Sequence, residues 1–194
     1  MLSMKKDDKF RKCIGKSFSF LTANQWSYIA LIITAVSAYF IINNRFLFAA
    51  ILFSIAGFLD FVDGAVARHR KEATKKGAYL DTILDRYTEA IIILALIFVS
   101  IPTLFLDSRI WLFLYLFGSM MTTYAKAAAA EKKIIEKLSG GILQRQDRIL
   151  LLIVALFSAV FSLAVLGYFI VILAMLTNIT ALQRIFVAMK KAKK

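Results

Sequence analysis

Five carboxylates interrupt an otherwise strongly apolar part of this 194-residue chain: Asp60, Asp63, Asp81, Asp85 and Glu89. The first two are three residues apart, and the last three follow one another at intervals of four. On an α-helix both spacings place side chains on one face. Carboxylates that share an apolar site repel one another unless they take up protons or bind a cation.

The donor atoms indicate which cation would bind. Carboxylate oxygens, without thiolate or imidazole ligands beside them, favour a hard ion such as Mg²⁺, Mn²⁺ or Ca²⁺. We interpret the single histidine, His69, as a solvated loop residue and the single cysteine, Cys13, as a thiol without a role. Two ions held by shared carboxylates would suit phosphoryl transfer.

The elements that position these carboxylates are predicted to be membrane-spanning helices. Hydrophobic residues make up 60% of the chain, the mean hydropathy is +0.74, and uncharged apolar runs of about 20 residues recur. These runs do not alternate in polarity as β-barrel strands do. We therefore predict an all-α integral membrane protein with one domain, 1–194. Six transmembrane helices are expected within 25–188, near 25–42, 46–66, 78–100, 108–130, 148–164 and 167–188.

Two features at the ends of this arrangement are also predicted. Residues 1–22 should form an amphipathic interfacial helix, because apolar residues recur there at helical spacing among lysines. These residues are Phe10, Ile14, Phe18 and Leu21. No apolar core precedes a small-residue cleavage site, so a cleaved signal peptide is not expected. Between the last two spans we expect a tight turn, with Gly167 as the breaker.

Basic residues predict the orientation of the chain. All but three of the 25 Lys and Arg residues lie in the two terminal segments or in 68–76 and 126–148; the exceptions are Arg45, Arg86 and Arg109. With six spans, those four regions face the same side, and the positive-inside rule places them in the cytoplasm. The net charge of +13 then reflects membrane topology, and no nucleic-acid partner is expected.

The second predicted span runs inward and the third runs outward, so their cytoplasmic ends lie side by side. Four aspartates should therefore converge at the cytoplasmic boundary. Gly64 directly follows Asp63, and Gly77 lies one turn before Asp81. Such small residues let a helix backbone or a ligand approach closely. Arg68, one turn beyond Gly64, could pair with a phosphate.

The residues now form a recognisable pattern. The pattern has two parts: D-x-x-D-G-x-x-A-R from Asp60 to Arg68 and, after eight residues, G-x-x-x-D-x-x-x-D from Gly77 to Asp85. It resembles the motif of the CDP-alcohol phosphotransferase family without a mismatch. The resemblance extends to the six spans, the N-terminal helix and the cytoplasmic site. It implies an integral cell-membrane enzyme that transfers a phosphatidyl-type group from a CDP-linked donor to an alcohol and releases CMP.

The resemblance also implies roles for individual residues. The metal ligands would be Asp60, Asp63, Asp81 and Asp85, and the cofactor would be Mg²⁺ or Mn²⁺, as two ions. The catalytic residue would be Asp85, the general base on the acceptor hydroxyl. The nucleotide pocket would be lined by Gly64, Ala67, Arg68 and Gly77. The family commonly carries Thr-Pro-Asn before the first span; this chain has alanine instead of proline, and we expect Asn24 to contribute to the nucleotide site.

Three further cations bear on the acceptor. Lys126, Arg145 and Arg148 resemble the elements that bind the acceptor phosphate in the inositol-phosphate-using branch of the family. Cations around a cavity favour an anionic acceptor, although the positive-inside rule alone would also place them at these helix ends. The expected partners are CDP-diacylglycerol or CDP-archaeol and a small phosphorylated alcohol. Inositol phosphate is preferred over glycerol 3-phosphate, and a soluble CDP-inositol donor stays open.

The sequence leaves alternatives open for the role of Glu89 and for the class of protein. Glu89 could orient Arg86 or an acceptor hydroxyl, or it could pair with Asn178 in the sixth span. A proton- or cation-coupled transporter is the rival from another class, because intramembrane carboxylates mark ion pathways. Transporters usually contain internal repeats, and none is evident in this sequence. A homodimer is expected from the family resemblance alone.

Overall fold

The computed structural model describes residues 12–70, 74–102, 105–135 and 140–192. Regular secondary structure in these residues is α-helical, which confirms the predicted all-α class. A short helix, α1, occupies 12–17. It is followed by α2 (Ala23–Ile42), α3 (Phe46–His69), α4 (Lys75–Ile97), α5 (Ser108–Glu131), α6 (Arg145–Ala159) and α7 (Leu163–Ala192).

Three helices of the described chain, α2, α3 and α7, are long and apolar enough to cross a membrane. Helices α4 and α5 have 23 and 24 residues. Charged side chains, among them Asp85 and Glu89, interrupt the apolar surface of α4, and polar residues such as Thr122 and Thr123 lower the hydropathy of α5. Helix α6 has 15 residues, fewer than the ~20 that a perpendicular span requires. The six-span arrangement therefore stays a prediction.

The turn between the last two helices is not where the sequence predicted it. It lies at 160–162, and Gly167 is buried inside α7. The Ser162 carbonyl accepts a hydrogen bond from the Leu166 amide at 3.3 Å, and serine is a favoured residue at a helix start. One glycine costs a helix only about 1 kcal/mol, which packing of the long apolar α7 offsets.

The chain divides into two compact units, Met1–Ile92 and Ile93–Lys194. The described part of the first unit contains α1, α2, α3 and most of α4. The second contains the end of α4 and helices α5, α6 and α7. A single domain over 1–194 stays a prediction, and each unit is described by itself.

In the first unit, a capping box begins α2. Thr22 Oγ1 accepts a hydrogen bond from the Gln25 amide at 3.3 Å, and Gln25 Oε1 accepts one from the Thr22 amide at 2.8 Å. This reciprocal pair satisfies two backbone donors at the helix start. The box begins α2 without a proline, and it leaves Asn24 in the first turn of the helix.

The segment around α1 packs against protein through its apolar face. Ile14 belongs to a buried cluster with Trp26, Ala30, Leu59, Val62, Ala65 and Val66. Phe18 and Leu21 pack against the same cluster, and Trp26 Nε1 donates to the Phe18 carbonyl at 3.0 Å. The predicted helix over 1–22 is wrong beyond residue 17, because 18–22 form the turn that leads to the N-cap of α2. The apolar residues nevertheless contact α2 and α3. Phe10 lies outside the described residues, and an interfacial location stays a prediction.

In the second unit, α7 packs against both α5 and α6. Gly118 allows α5 and α7 to pack closely, because a Cβ there would lie 2.8 Å from both Asn178 Nδ2 and Thr177 Oγ1 of α7. The Asn178 amide donates to the Leu114 carbonyl at 2.9 Å and to the Ala174 carbonyl at 2.8 Å. The first of these bonds joins α7 to α5, and the second lies within α7 and orients the Asn178 side chain.

Gly15 provides a test of the α1 packing. A Cβ at this position would lie 2.7 Å from the Ala65 carbonyl oxygen and 2.8 Å from His69 Cβ. We expect Gly15→Val to displace α1 and to lower the free energy of unfolding by about 1–3 kcal/mol. Cys13→Val, at an exposed position of the same helix, is the matched control. Melting temperatures in detergent would measure the difference, and equal values for both variants would contradict the packing.

Candidate functional site

Three of the predicted aspartates come together in the first unit. Asp60, Asp63 and Asp81 each offer a carboxylate oxygen, and these oxygens all lie within 4.8 Å of one another. Asp63 is buried, with 6% exposure, while the other two are half-buried. Oxygens around a hard cation, at about 2.1–2.5 Å from it, lie up to about 5 Å apart. The group therefore fits a divalent cation.

The structure brings three of the four predicted metal ligands within the spacing of one ion. The fourth, Asp85, is one helical turn beyond Asp81 on α4 and is buried. Its roles as ligand and as general base stay predictions.

A serine that the sequence analysis missed contacts the aspartate group. Ser27 of α2 donates a hydrogen bond to Asp63 Oδ2, with an Oγ–Oδ2 distance of 2.6 Å. Hydroxyl–carboxylate bonds of this length are charge-assisted and strong. The available signal was spacing, because Ser27 lies three residues after Asn24 and therefore on the same face of α2. Ser27 fixes the orientation of the Asp63 carboxylate.

A cavity of about 190 Å³ adjoins the carboxylates. Its lining includes all five predicted nucleotide-binding residues, Asn24, Gly64, Ala67, Arg68 and Gly77, together with Ser27, Asp63 and Asp81. Three separate elements contribute: the first turns of α2, the last turns of α3 and the first turns of α4. The structure therefore brings together residues that are far apart in sequence around one space.

The two glycines of the motif face this space. A Cβ at Gly64 would meet the Arg68 guanidinium at 3.5–3.9 Å, and one at Gly77 would meet Thr74 Oγ1 at 3.3 Å and Asn24 Oδ1 at 3.6 Å. None of these neighbours is helix backbone. The neighbours of these glycines are therefore side chains that line the cavity, and not the backbone of a packed helix.

Glu89 makes one of the contacts that the sequence allowed. Its Oε2 lies 2.8 Å from Arg86 Nη1, and the carboxylate is fully buried. The alternative partner, Asn178, directs its amide group at the carbonyls of Leu114 and Ala174. A buried pair of this kind keeps both charges compensated. Glu89 thus orients Arg86.

The predicted acceptor cations lie in the second unit. Arg148 is 1% exposed, and its Nη1 donates to Thr122 Oγ1 at 3.3 Å. Lys126, one turn beyond Thr122 on α5, is exposed, and Arg145 is half-buried at the first position of α6. Arg184, which the sequence analysis assigned to topology alone, donates from Nη1 to the Thr122 carbonyl at 2.7 Å. Basic side chains from α6 and α7 thus contact α5 at Thr122.

Comparison with known proteins supports these observations. Residues 20–183 match the CDP-alcohol phosphatidyltransferase family. An archaetidylinositol phosphate synthase of Pyrococcus horikoshii is 33% identical over 183 residues, which cover 92% of this chain and 90% of that protein. A bifunctional IPC transferase and DIPP synthase of Aquifex aeolicus is 33% identical over 150 residues. That match covers 73% of this chain but 33% of the longer relative.

Solved structures show the same fold. The crystal structure of a Mycobacterium tuberculosis phosphatidylinositol phosphate synthase with CDP-DAG bound has a TM-score of 0.79 and 22% identity, covering 93% of this chain and 94% of that one. The complex of the same enzyme with manganese and citrate has a TM-score of 0.80 and 21% identity, covering 92% and 88%. The comparisons give no support to a transporter. The chain belongs to the CDP-alcohol phosphatidyltransferase family and is a membrane-integral transferase.

Proposed function

We propose that this enzyme transfers a substituted phosphate group from a CDP-lipid to inositol phosphate and releases CMP. The observation that carries the proposal is the group of Asp60, Asp63 and Asp81 beside a cavity lined by motif glycines. A lipid donor has its pyrophosphate at the headgroup boundary, where the end of α3 and the start of α4 are predicted to lie. The donor tails are assigned to diacylglycerol or archaeol, with soluble CDP-inositol as the alternative donor.

The nucleotide is assigned to the cavity at the start of α2. Gly64 and Gly77 leave their backbone open to it, and Asn24 and Ala67 complete the lining. The Arg68 guanidinium lies over the Gly64 face, where it would pair with a phosphate of the donor. The fold likeness to an enzyme solved with CDP-DAG bound supports this assignment.

Asp60, Asp63 and Asp81 are assigned to a divalent cation, with Asp85 contributing to a second one. Their oxygen-only donor set suits Mg²⁺ or Mn²⁺, and the related enzyme solved with manganese supports this choice. When bound, the metal supplies positive charge that neutralises the pyrophosphate and the departing CMP. Ser27 holds the Asp63 carboxylate in position for it.

Asp85 is assigned as the general base. It would accept the proton of the acceptor hydroxyl as the hydroxyl oxygen forms a bond to the lipid-bearing phosphorus. The pyrophosphate bond to that phosphorus breaks, and CMP leaves with its electron pair. Burial of Asp85 at 9% exposure limits competition from water, which would otherwise hydrolyse the donor.

Lys126, Arg145 and Arg148 are assigned to the phosphate of the acceptor. Arg148 contacts Thr122 one turn before Lys126, and Arg145 is three residues before Arg148 on α6. This arrangement favours an anionic acceptor, and the Pyrococcus relative is an archaetidylinositol phosphate synthase. Glycerol 3-phosphate is the alternative, since it also carries a phosphate.

The membrane arrangement belongs to the same proposal. We assign α2 to α7 to six spans, the segment that contains α1 to the membrane interface, and 1–194 to one domain that forms a homodimer. The distribution of Lys and Arg supports a cytoplasmic location for both termini and the active site.

Asp85→Asn tests the catalytic assignment. The amide cannot accept the hydroxyl proton, so CMP release from a CDP-lipid should fall by about 10²–10⁴-fold. Asp107→Asn is the matched control, because Asp107 caps α5 and asparagine also caps helices. Both proteins should retain their melting temperatures in detergent. Full CMP release by Asp85→Asn would overturn the base assignment.

A panel of acceptors tests the substrate. Purified enzyme with Mg²⁺ and a CDP-lipid should release CMP with inositol 1-phosphate, and not with inositol or serine. Arg145→Gln should raise the KM for inositol 1-phosphate by about tenfold or more, because it removes a charge-assisted contact. Turnover with glycerol 3-phosphate alone would show that glycerol 3-phosphate is the acceptor instead of inositol phosphate. Turnover with inositol alone would contradict the assignment of the three cations to an acceptor phosphate.

Ser27→Ala tests the metal site without relying on catalysis. Loss of the hydroxyl should weaken Mn²⁺ binding by about 10–100-fold, as loss of an orienting partner does at other metal sites. Ser54→Ala is the control, because Ser54 donates to the Ala50 carbonyl of its own helix. Titration of Mn²⁺ by electron paramagnetic resonance would measure both affinities. Equal affinities would show that Ser27 does not orient a metal ligand.

A further inference from the structure

Three side chains on one face of α7 hold the backbone that leads into α6. Thr180, Gln183 and Arg184, here called the α7 clamp, are spaced at i, i+3 and i+4. Their contacts are Leu143 N to Thr180 Oγ1 at 3.1 Å, Ile142 N to Gln183 Oε1 at 3.1 Å, and Arg184 Nε to the Gly140 carbonyl at 3.0 Å. Each contact joins residues that are about forty positions apart in the chain, so the clamp is a tertiary feature.

Two consecutive glycines allow this backbone to approach α7. Gly140 and Gly141 have φ angles of 109° and 106°, in a region that side chains rarely adopt. A Cβ at Gly141 would collide with Thr180 Cγ2, whereas one at Gly140 would meet nothing within 4 Å. Gly141 is therefore required both by its backbone conformation and by its contact with the clamp.

The clamped segment leads directly into the predicted acceptor cations. Leu143 is buried, with 4% exposure, and Gln144 is the N-cap of α6, with its amide donating to Asp147 Oδ2 at 2.9 Å. Arg145 follows as the first residue of the helix. Arg184 also donates to the Thr122 carbonyl of α5. The clamp thus fixes the start of α6, and the part of α5 around Thr122, relative to α7.

We propose that Thr180 and Gln183 are positioning residues for the acceptor site, acting through the backbone of 140–144 on Arg145 and Arg148. The inference rests on the proposed binding of a phosphorylated acceptor by Lys126, Arg145 and Arg148. Cations bind a phosphate more tightly when their spacing is fixed before the ligand arrives, because less conformational entropy is then lost on binding. Within the α7 clamp, Thr180 and Gln183 hold the backbone of 142–143 with neutral side chains that need not contact the acceptor themselves.

Thr180→Val tests the clamp, because valine keeps the shape of threonine and lacks the hydroxyl that the Leu143 amide requires. Thr177→Val is a closely matched control one turn earlier on α7. Thr177 and Thr180 are both fully buried, and each hydroxyl donates within its own helix, to the Leu173 and Ala174 carbonyls from Thr177 and to the Leu176 carbonyl from Thr180. The Thr180 hydroxyl differs because it also accepts a hydrogen bond from the Leu143 amide. Thr180→Ser restores the hydroxyl and serves as the rescue variant.

We expect Thr180→Val to raise the KM for the acceptor by about fivefold or more, the factor that one net hydrogen bond supplies. The KM for the CDP-lipid and the affinity for Mn²⁺ should stay unchanged, because the groups assigned to them belong to the first unit. Thr177→Val and Thr180→Ser should resemble the wild type. An unchanged acceptor KM in Thr180→Val, or an equal rise in Thr177→Val, would overturn the inference.

Hydrogen–deuterium exchange provides a readout that is independent of any acceptor. Amides in 140–144 should exchange about fivefold faster in Thr180→Val than in the wild type, and no faster in Thr177→Val. Unchanged exchange would overturn the clamp. If Arg145→Gln raises the acceptor KM and Thr180→Val does not, the acceptor assignment stands and the clamp inference fails. If Arg145→Gln has no effect, the acceptor assignment itself fails, whatever the exchange rates show.

Discussion

Mutual repulsion of carboxylates is the constraint on which the rest of this structure depends. Three aspartate oxygens lie within 4.8 Å of one another in a chain whose sequence is 60% hydrophobic. Like charges this close, and partly removed from water, are costly unless they are compensated. Part of the compensation comes from the short hydrogen bond that Ser27 donates to Asp63, and a cation would supply the rest. The end of α3 and the start of α4 must therefore be placed accurately relative to each other. The capping box at the start of α2 helps to place Ser27 within reach of Asp63.

Glycine serves two opposite purposes in this fold. At Gly15 and Gly118, the space that a side chain would need is occupied by a neighbouring helix, so glycine there allows helices to pack closely. At Gly64 and Gly77, the corresponding space opens into the cavity beside the aspartates. A sequence cannot distinguish the two uses, because both appear as a small residue on a helix. The distinction depends on which helix passes nearby, and only the tertiary structure supplies it.

The aspartate group was predictable because it depends on helical periodicity and on one short connection. The intervals from Asp60 to Asp63 and from Asp81 to Asp85 define helix faces, and adjacent helix ends bring those faces together. The other features depend on tertiary contacts or on local competition. Ser27 and Thr180 resemble any small polar residue within a helix until their partners from distant segments are known. The expected turn at Gly167 was wrong because packing of an apolar helix outweighs the preference of one glycine, and the serine at 162 began the helix instead.

The packing of α1 has a consequence for the order of events during synthesis. Ile14 is buried against Val62 and Val66 of α3, and these partners leave the ribosome only after all of α2 has been made. Until then only Trp26 and Ala30 of α2 can cover Ile14, and the part of the α1 face that packs on α3 has no protein partner. The packing around Ile14 is therefore completed only after α3 has been made, and α1 reaches its final position late in the synthesis of the first unit.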